Sequence, residues 1–136
     1  MSISEITIPK TSPRRTAHFA TRWLPSSTAI VTAHGELDAA NADEFFSYAV
    51  SHSGRMTQLV LDLTGVDFFG TSGFSALHSL NVRCAADGIE WTLVPSPAVN
   101  RLLHICDPES ALPVQPTIEV ALGEAPRLLQ LVAESR

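Results

Sequence analysis

The chain has 136 residues, enough for one domain with a real core and too few for two independent ones. Nine basic against fourteen acidic residues give a formal net charge of −5, and the cations are scattered from Lys10 to Arg136. That pattern lacks the clustered cations of a nucleic-acid partner, and no apolar run approaches the ~20 residues that a membrane-spanning helix needs.

Residues 1–17, beginning MSISEITIPKTSPRR, mix Ser, Thr, Pro and charge without periodicity and read as a flexible leader. They lack the apolar stretch and small-residue cleavage site of a secretory signal, so the expected location is the cytoplasm. The segments HFATRWL and TAIVTAHGEL flank Pro-Ser-Ser and predict an antiparallel hairpin. Next, Ala42, Phe45, Phe46, Ala49 and Val50 recur at helical spacing, with Asn41 and Glu44 as a capping box and Gly54 as the stop.

QLVLDLTGV has the nearly continuous apolar character of a strand buried on both faces. From Phe74 to about Ala86 the pattern is helical again, closed by Gly88. A short strand, EWTLV, precedes a third helix that starts at Pro97 and runs to about Ile105. ALPV supplies one more brief strand and TIEVAL a last helix, while residues 123–136 form a helical tail.

The order β-β-α-β-α-β-α-β-α predicts an α/β domain over residues 18–122, with a mixed or largely parallel sheet. Cys84 and Cys106 are too few and too far apart for a disulfide scaffold or a CxxC pair, and both are expected as reduced, largely buried thiols.

At the junction FFGTSGFSAL a hydroxyl admits two readings. Thr71 or Ser72 caps the following helix, or Ser72 is a nucleophile or phosphate acceptor. The nucleophile-elbow pattern G-x-S-x-G is not met, because Gly73 arrives one residue early and Phe74 stands in its place. His18, His34, His52, His78 and His104 show no metal-ligand spacing, and no phosphate-binding or dinucleotide-binding glycine motif is present. No cofactor or metal is expected.

Glu36 and Asp38 close the second strand, on the side where open α/β sheets carry functional loops. They either solvate a turn or face the next loop, Asp67 to Ser72. A phosphate on Ser72 would sit at a helix N-terminus, which favours an anion, and would face those carboxylates as a like charge.

The segments GELDAANADEF, LVLDLTGVDFFGTSGFSAL and LLHICDPESALPVQPTIEVAL resemble a STAS domain, specifically the bacterial anti-sigma-factor antagonists, over about residues 18–122. The resemblance implies a STAS-like mixed sheet with helices mainly on one face. In the family pattern the serine directly before a glycine is phosphorylated, and here that serine is Ser72.

Thr71 matches the preceding hydroxyl, Gly73 the glycine, and Asp38 the acidic residue of the first functional loop. Gly70 departs from the pattern, which usually has aspartate there. The resemblance further implies a partner-binding surface at Glu36, Asp38, Gly70, Thr71, Ser72 and Gly73. Its partner would be an anti-sigma factor that is a serine kinase of the ATP-binding GHKL type, and a serine phosphatase would reset the switch.

The unphosphorylated antagonist would bind the kinase and free a sigma factor; phosphorylation would release the antagonist. In this scheme the chain has no catalytic residues. The alternatives are a STAS interaction module that is never phosphorylated and a small serine hydrolase using Ser72.

Overall fold

The computed structural model describes residues 16–123. Most of the expected leader, residues 1–15, and the tail from residue 124 lie outside the described residues.

Strand β1 (Ala17–Leu24) pairs antiparallel with β2 (Thr28–Leu37). Between them Ser26 and Ser27 adopt left-handed φ values of 67° and 58°, a conformation that costs non-glycine residues free energy. The turn is held from outside: the Ser27 carbonyl accepts the Thr57 amide at 2.9 Å, and the Ser26 carbonyl accepts the Thr57 hydroxyl at 3.0 Å.

Helix α1 (Ala42–Ala49) leads through a short 3₁₀ turn, Ser53–Arg55, into β3 (Gln58–Phe69). Then follow α2 (Thr71–Asp87), β4 (Glu90–Pro95), α3 (Pro97–Cys106) and α4 (Ile118–Ala121). The four-stranded sheet has the order β1-β2-β3-β4, with β2, β3 and β4 parallel. Val114 adds a single parallel bridge to Leu93 beyond β4, which is all of the expected ALPV strand.

Strand alternation separates two cores. Val31, Leu59, Leu61, Leu63 and Leu93 face α1, α2 and α3, and Phe45, Leu77, Leu80, Val99 and Leu103 meet them there. Ile30, Val60 and Val94 face the other way and are covered by Ile118 and Ala121 of α4. The mixed α/β sheet with helices mainly on one face is therefore observed. Each fully buried leucine contributes about 1.5–3 kcal/mol from loss of apolar surface to water, so the central strand dominates the core.

Several helix boundaries follow from local chemistry. Gly88 takes the left-handed φ of 70° that ends α2, and the Ile89 amide returns to the Cys84 carbonyl at 2.9 Å. Ser96 caps α3 by accepting the Val99 amide at 3.2 Å, with Pro97 in the first turn. Thr117 caps α4 through the Val120 amide at 3.1 Å.

Other expectations are corrected. α1 ends at Ala49, and Gly54 lies inside the 3₁₀ turn rather than stopping the helix. β3 runs on to Phe69, because its ladder with β2 absorbs two register shifts and continues to Leu37 opposite Phe69. Cys84 is buried, but Cys106, at the end of α3, is only half-buried. Both cysteines are free thiols.

Candidate functional site

Two loops meet at the carboxyl ends of β2 and β3. The first turns around Asp38, whose carbonyl accepts the Asn41 amide at 3.2 Å and the Ala42 amide at 2.9 Å. The Asp38 carboxylate accepts the Ala40 amide at 3.0 Å, an Asx turn. Asn41 makes no side-chain cap to α1, so the expected capping box with Glu44 is not formed. Its amide group faces back into the loop, with Oδ1 accepting the Asp38 amide at 3.0 Å and Nδ2 donating to the Glu36 carbonyl at 2.8 Å. A buried side chain thus holds the loop from inside.

The second loop is short because β3 persists to Phe69. Gly70 is the N-cap of α2, and its amide donates to the Leu37 carbonyl at 2.9 Å, joining the two loops directly. Its backbone is extended, with φ −92° and ψ 178°. A Cβ on Gly70 would lie 3.6 Å from Phe68 Cε2 and 3.7 Å from Asp38 Cβ, so the position faces Asp38 with room for a side chain.

Thr71 and Ser72 are the first two residues of α2, and no side chain caps that helix. The capping role considered for either hydroxyl is therefore not used. Among the described residues the Thr71 and Ser72 amides make no hydrogen bond, whereas the Gly73 amide returns to the Gly70 carbonyl at 2.9 Å. These are the unpaired first-turn donors that favour an anion at a helix start.

Gly73 is buried beneath them. A Cβ there would fall 2.5 Å from Phe69 Cε1, so the bare backbone lets α2 begin directly on the Phe69 ring.

Ser72 opens into a shallow groove of about 400 Å³ between α1 and α2. Ala39, Ala42, Asp43 and Phe46 form one wall, and Ser72, Ser75, Ala76 and Ser79 the other. The sequence does not mark Asp43 as a site residue, and it marks Phe46 only as part of the apolar face of α1. Their signal was present only as positions on the predicted α1, and the packing of α1 against α2 brings them opposite Ser72.

Glu36 is placed differently from Asp38. It pairs in register with Phe68 and alternates with the buried Leu37, so its side chain leaves the sheet on the face away from α1 and α2. Its link to the site runs through its backbone carbonyl and Asn41. Asp67 is exposed in the register shift between Val66 and Phe68.

Among the described residues no group of three or more His, Cys, Asp or Glu side chains is arranged to hold a metal. None of their helices is long and apolar enough to cross a membrane. Burial pushes the Cys84 thiol up to about 11, with the nearby Asp87 charge adding to the rise and Arg83 opposing it. Residues 72 and 84 are separated along α2 by about 18 Å at the ~1.5 Å rise per residue of an α-helix, so this thiol is remote from the Ser72 groove.

The family model described as STAS domain matches residues 24–121. An anti-sigma-F factor antagonist, RsfA, of Mycobacterium tuberculosis is 35% identical over 117 residues, covering 83% of this chain and 91% of the relative. Osmosensory protein A of the same organism is 36% identical over 106 residues, covering 75% of this chain and 67% of that one. Among solved structures, an anti-sigma factor antagonist from Mycobacterium paratuberculosis superposes with a TM-score of 0.72 at 22% identity, covering 82% of this chain and 95% of its own.

Proposed function

Because this chain belongs to the STAS domain family and is kin to its anti-sigma-factor antagonists, we propose that it is a phosphorylation-controlled antagonist whose switch residue is Ser72. Its unphosphorylated form binds an anti-sigma factor of the GHKL serine-kinase type and frees a sigma factor. The kinase transfers the γ-phosphoryl group of ATP to Ser72 Oγ; the Oγ–P bond forms, the β–γ phosphoanhydride breaks, ADP leaves and the hydroxyl proton is lost to solvent. A serine phosphatase restores the hydroxyl by hydrolysis. The work is done in the cytoplasm, and the chain itself is substrate and binding protein rather than enzyme.

The observation that carries this reading is the state of the Ser72 hydroxyl. It sits on the first turn of α2, unused as a cap, beside two amides without acceptors and at the mouth of a groove. A phosphate adds roughly −1.5 to −2 charge at neutral pH. The helix start stabilises that charge inside the domain, so the fold is retained. Toward a partner, the same charge joins Asp38 and Asp43 on one surface and alters what that surface accepts. The hydrolase alternative has less support, since the residues that line the groove include no histidine to serve as base.

Phosphosite mapping by mass spectrometry after incubation with the cognate kinase and ATP tests the assignment. Phosphate is expected on Ser72 in the wild type and in Thr71→Ala. Ser72→Ala should hold the anti-sigma factor in the presence of ATP, and Ser72→Glu should bind it weakly. Phosphate on Thr71 alone, or equal binding by the two Ser72 variants, would remove Ser72 as the switch.

A further inference from the structure

β1 is the outermost strand of the sheet, and its register fixes which of its backbone groups point outward. The Glu36 amide donates to the Thr16 carbonyl at 2.8 Å, one step before the Ala17–Gly35 pair. The ladder with β2 therefore exchanges its hydrogen bonds at His18–His34, Ala20–Thr32 and Arg22–Ile30. The alternate residues Ala17, Phe19, Thr21 and Trp23 turn their N–H and C=O groups away from β2. Among the described residues no strand lies beyond them, and α1 packs over β2 rather than past this edge.

This edge lacks the devices that keep sheet edges apart. It is 8 residues long and contains no proline, and Arg22 is its only formally charged side chain. Its ladder with β2 runs from Ala17 to Leu24 without a register shift.

The occupant that fits it is a second β1. A two-fold axis normal to the sheet at Ala20 runs the two strands antiparallel, with Ala17 opposite the partner's Trp23 and Phe19 opposite the partner's Thr21. All of these pairs join outward-facing groups. An axis at Phe19 or Thr21 would leave Trp23 or Ala17 without a counterpart in the strand. At Ala20 the two copies meet in a wide pair, where Cα atoms come within about 4.5 Å and only small side chains sit easily on the axis.

On the helix side, Phe19 beside the partner's Thr21 is an aromatic–β-branched pair of the kind that stabilises sheets. Trp23 beside the partner's Ala17 leaves room for the indole. On the other side Arg22 faces the partner's His18, so no two guanidinium groups are opposed.

We propose that two copies of this chain associate through their β1 edges, joining two four-stranded sheets into one. α2 packs on α1, α3, β3 and β4, so Ser72 of each copy stays outside the interface, and the association is independent of the Ser72 switch.

A strand edge is a small interface, so the dimer is weak and grows with concentration. The full chain is followed by sedimentation equilibrium and amide hydrogen exchange up to about 1 mM. A monomer–dimer equilibrium is expected, with exchange at the Phe19, Thr21 and Trp23 amides slowing as the dimer fills. The Ala20 and Arg22 amides, bonded to β2, should be slow throughout.

Variants at Ala20, which is exposed in the monomer, read the register. Ala20→Lys and Ala20→Glu should each weaken self-association by up to about fivefold, because like charges directly opposite repel, and mixing the two should restore it. In a Cys106→Ser background, oxygen with copper phenanthroline should link Ala20→Cys into a disulfide dimer, since about 4.5 Å between Cα atoms lies within disulfide reach. His18→Cys should not be linked, because its two copies stand about 13 Å apart along the strands.

A chain that stays monomeric to about 1 mM would overturn the proposal. So would edge amides already protected in the monomer, which would show that another segment covers β1. A dimer indifferent to Ala20→Lys, or linked as readily through His18→Cys as through Ala20→Cys, would place the contact elsewhere and overturn it as well.

Discussion

Replacing Gly73 with alanine sets two effects against each other. Alanine within a helix is favoured over glycine by about 0.5–1 kcal/mol, so propensity alone would raise stability. Against this, the new methyl group would lie 2.5 Å from Phe69 Cε1 and 2.9 Å from Cδ1 and Cζ. The Phe69 ring is only 6% exposed and belongs to the main core, so it has little room to retreat.

Overpacking of this kind costs about 1–3 kcal/mol. The net expectation is a loss of about 1 kcal/mol, which for a domain of this size lowers Tm by about 3–5 °C. Thermal unfolding followed by circular dichroism reads the change directly. The cause is isolated by Phe69→Leu, whose smaller side chain vacates the space of the ring edge. The double variant should be more stable than the sum of the two single losses by about 0.5 kcal/mol or more, as expected for residues in contact. A Gly73→Ala protein with a raised Tm, or strictly additive losses, would refute the argument that Gly73 is needed for close approach to Phe69.

Three further outcomes are expected. Gly70→Asp should leave Tm nearly unchanged, because the backbone is extended and the Cβ position is open, while an N-cap aspartate gains only a few tenths of a kcal/mol over glycine; phosphorylation kinetics should change instead, and a large Tm loss would contradict this. Asn41→Ala should cost about 1–3 kcal/mol, since it strips partners from the Asp38 amide and the Glu36 carbonyl inside the loop; chemical denaturation measures it, and a neutral result would dismiss Asn41 as the holder of the loop. Cys84, with its thiol raised to about 11, should resist alkylation at pH 8 while Cys106 reacts. The unfolded thiol ionises near 9.0 and the folded one near 11, so this group's contribution to stability is intact below pH 9 and declines between those values. Stability of Cys84→Ala should therefore fall less over that interval than that of the wild type, and parallel curves would show that Cys84 does not contribute.

Local patterns were legible wherever short-range chemistry settles the outcome. Helical spacing located α1, α2 and α3; Gly88, Pro97 and the hairpin around Pro25 marked ends and turns; alternation with buried strands indicated the α/β class. The motif around Ser72 could likewise be found by eye, because its residues are contiguous. What only the tertiary structure decided depends on groups far apart in sequence.

Asn41 looked like a helix cap, yet its side chain satisfies two backbone groups of the preceding loop, and that competition is invisible in the run of residues. The register shifts that extend β3 to Phe69 exist only against β2, and they turn Glu36 to one face of the sheet while Asp38 stays beside Gly70. The groove opposite Ser72 needs α1 packed on α2. Gly73, a glycine of ordinary appearance within a helix, is required by a ring that strand β3 delivers beneath it. Periodicity and capping depend on bonds between near neighbours, whereas the shape of the site depends on hydrogen bonds and contacts that form only when the sheet and its helices are assembled.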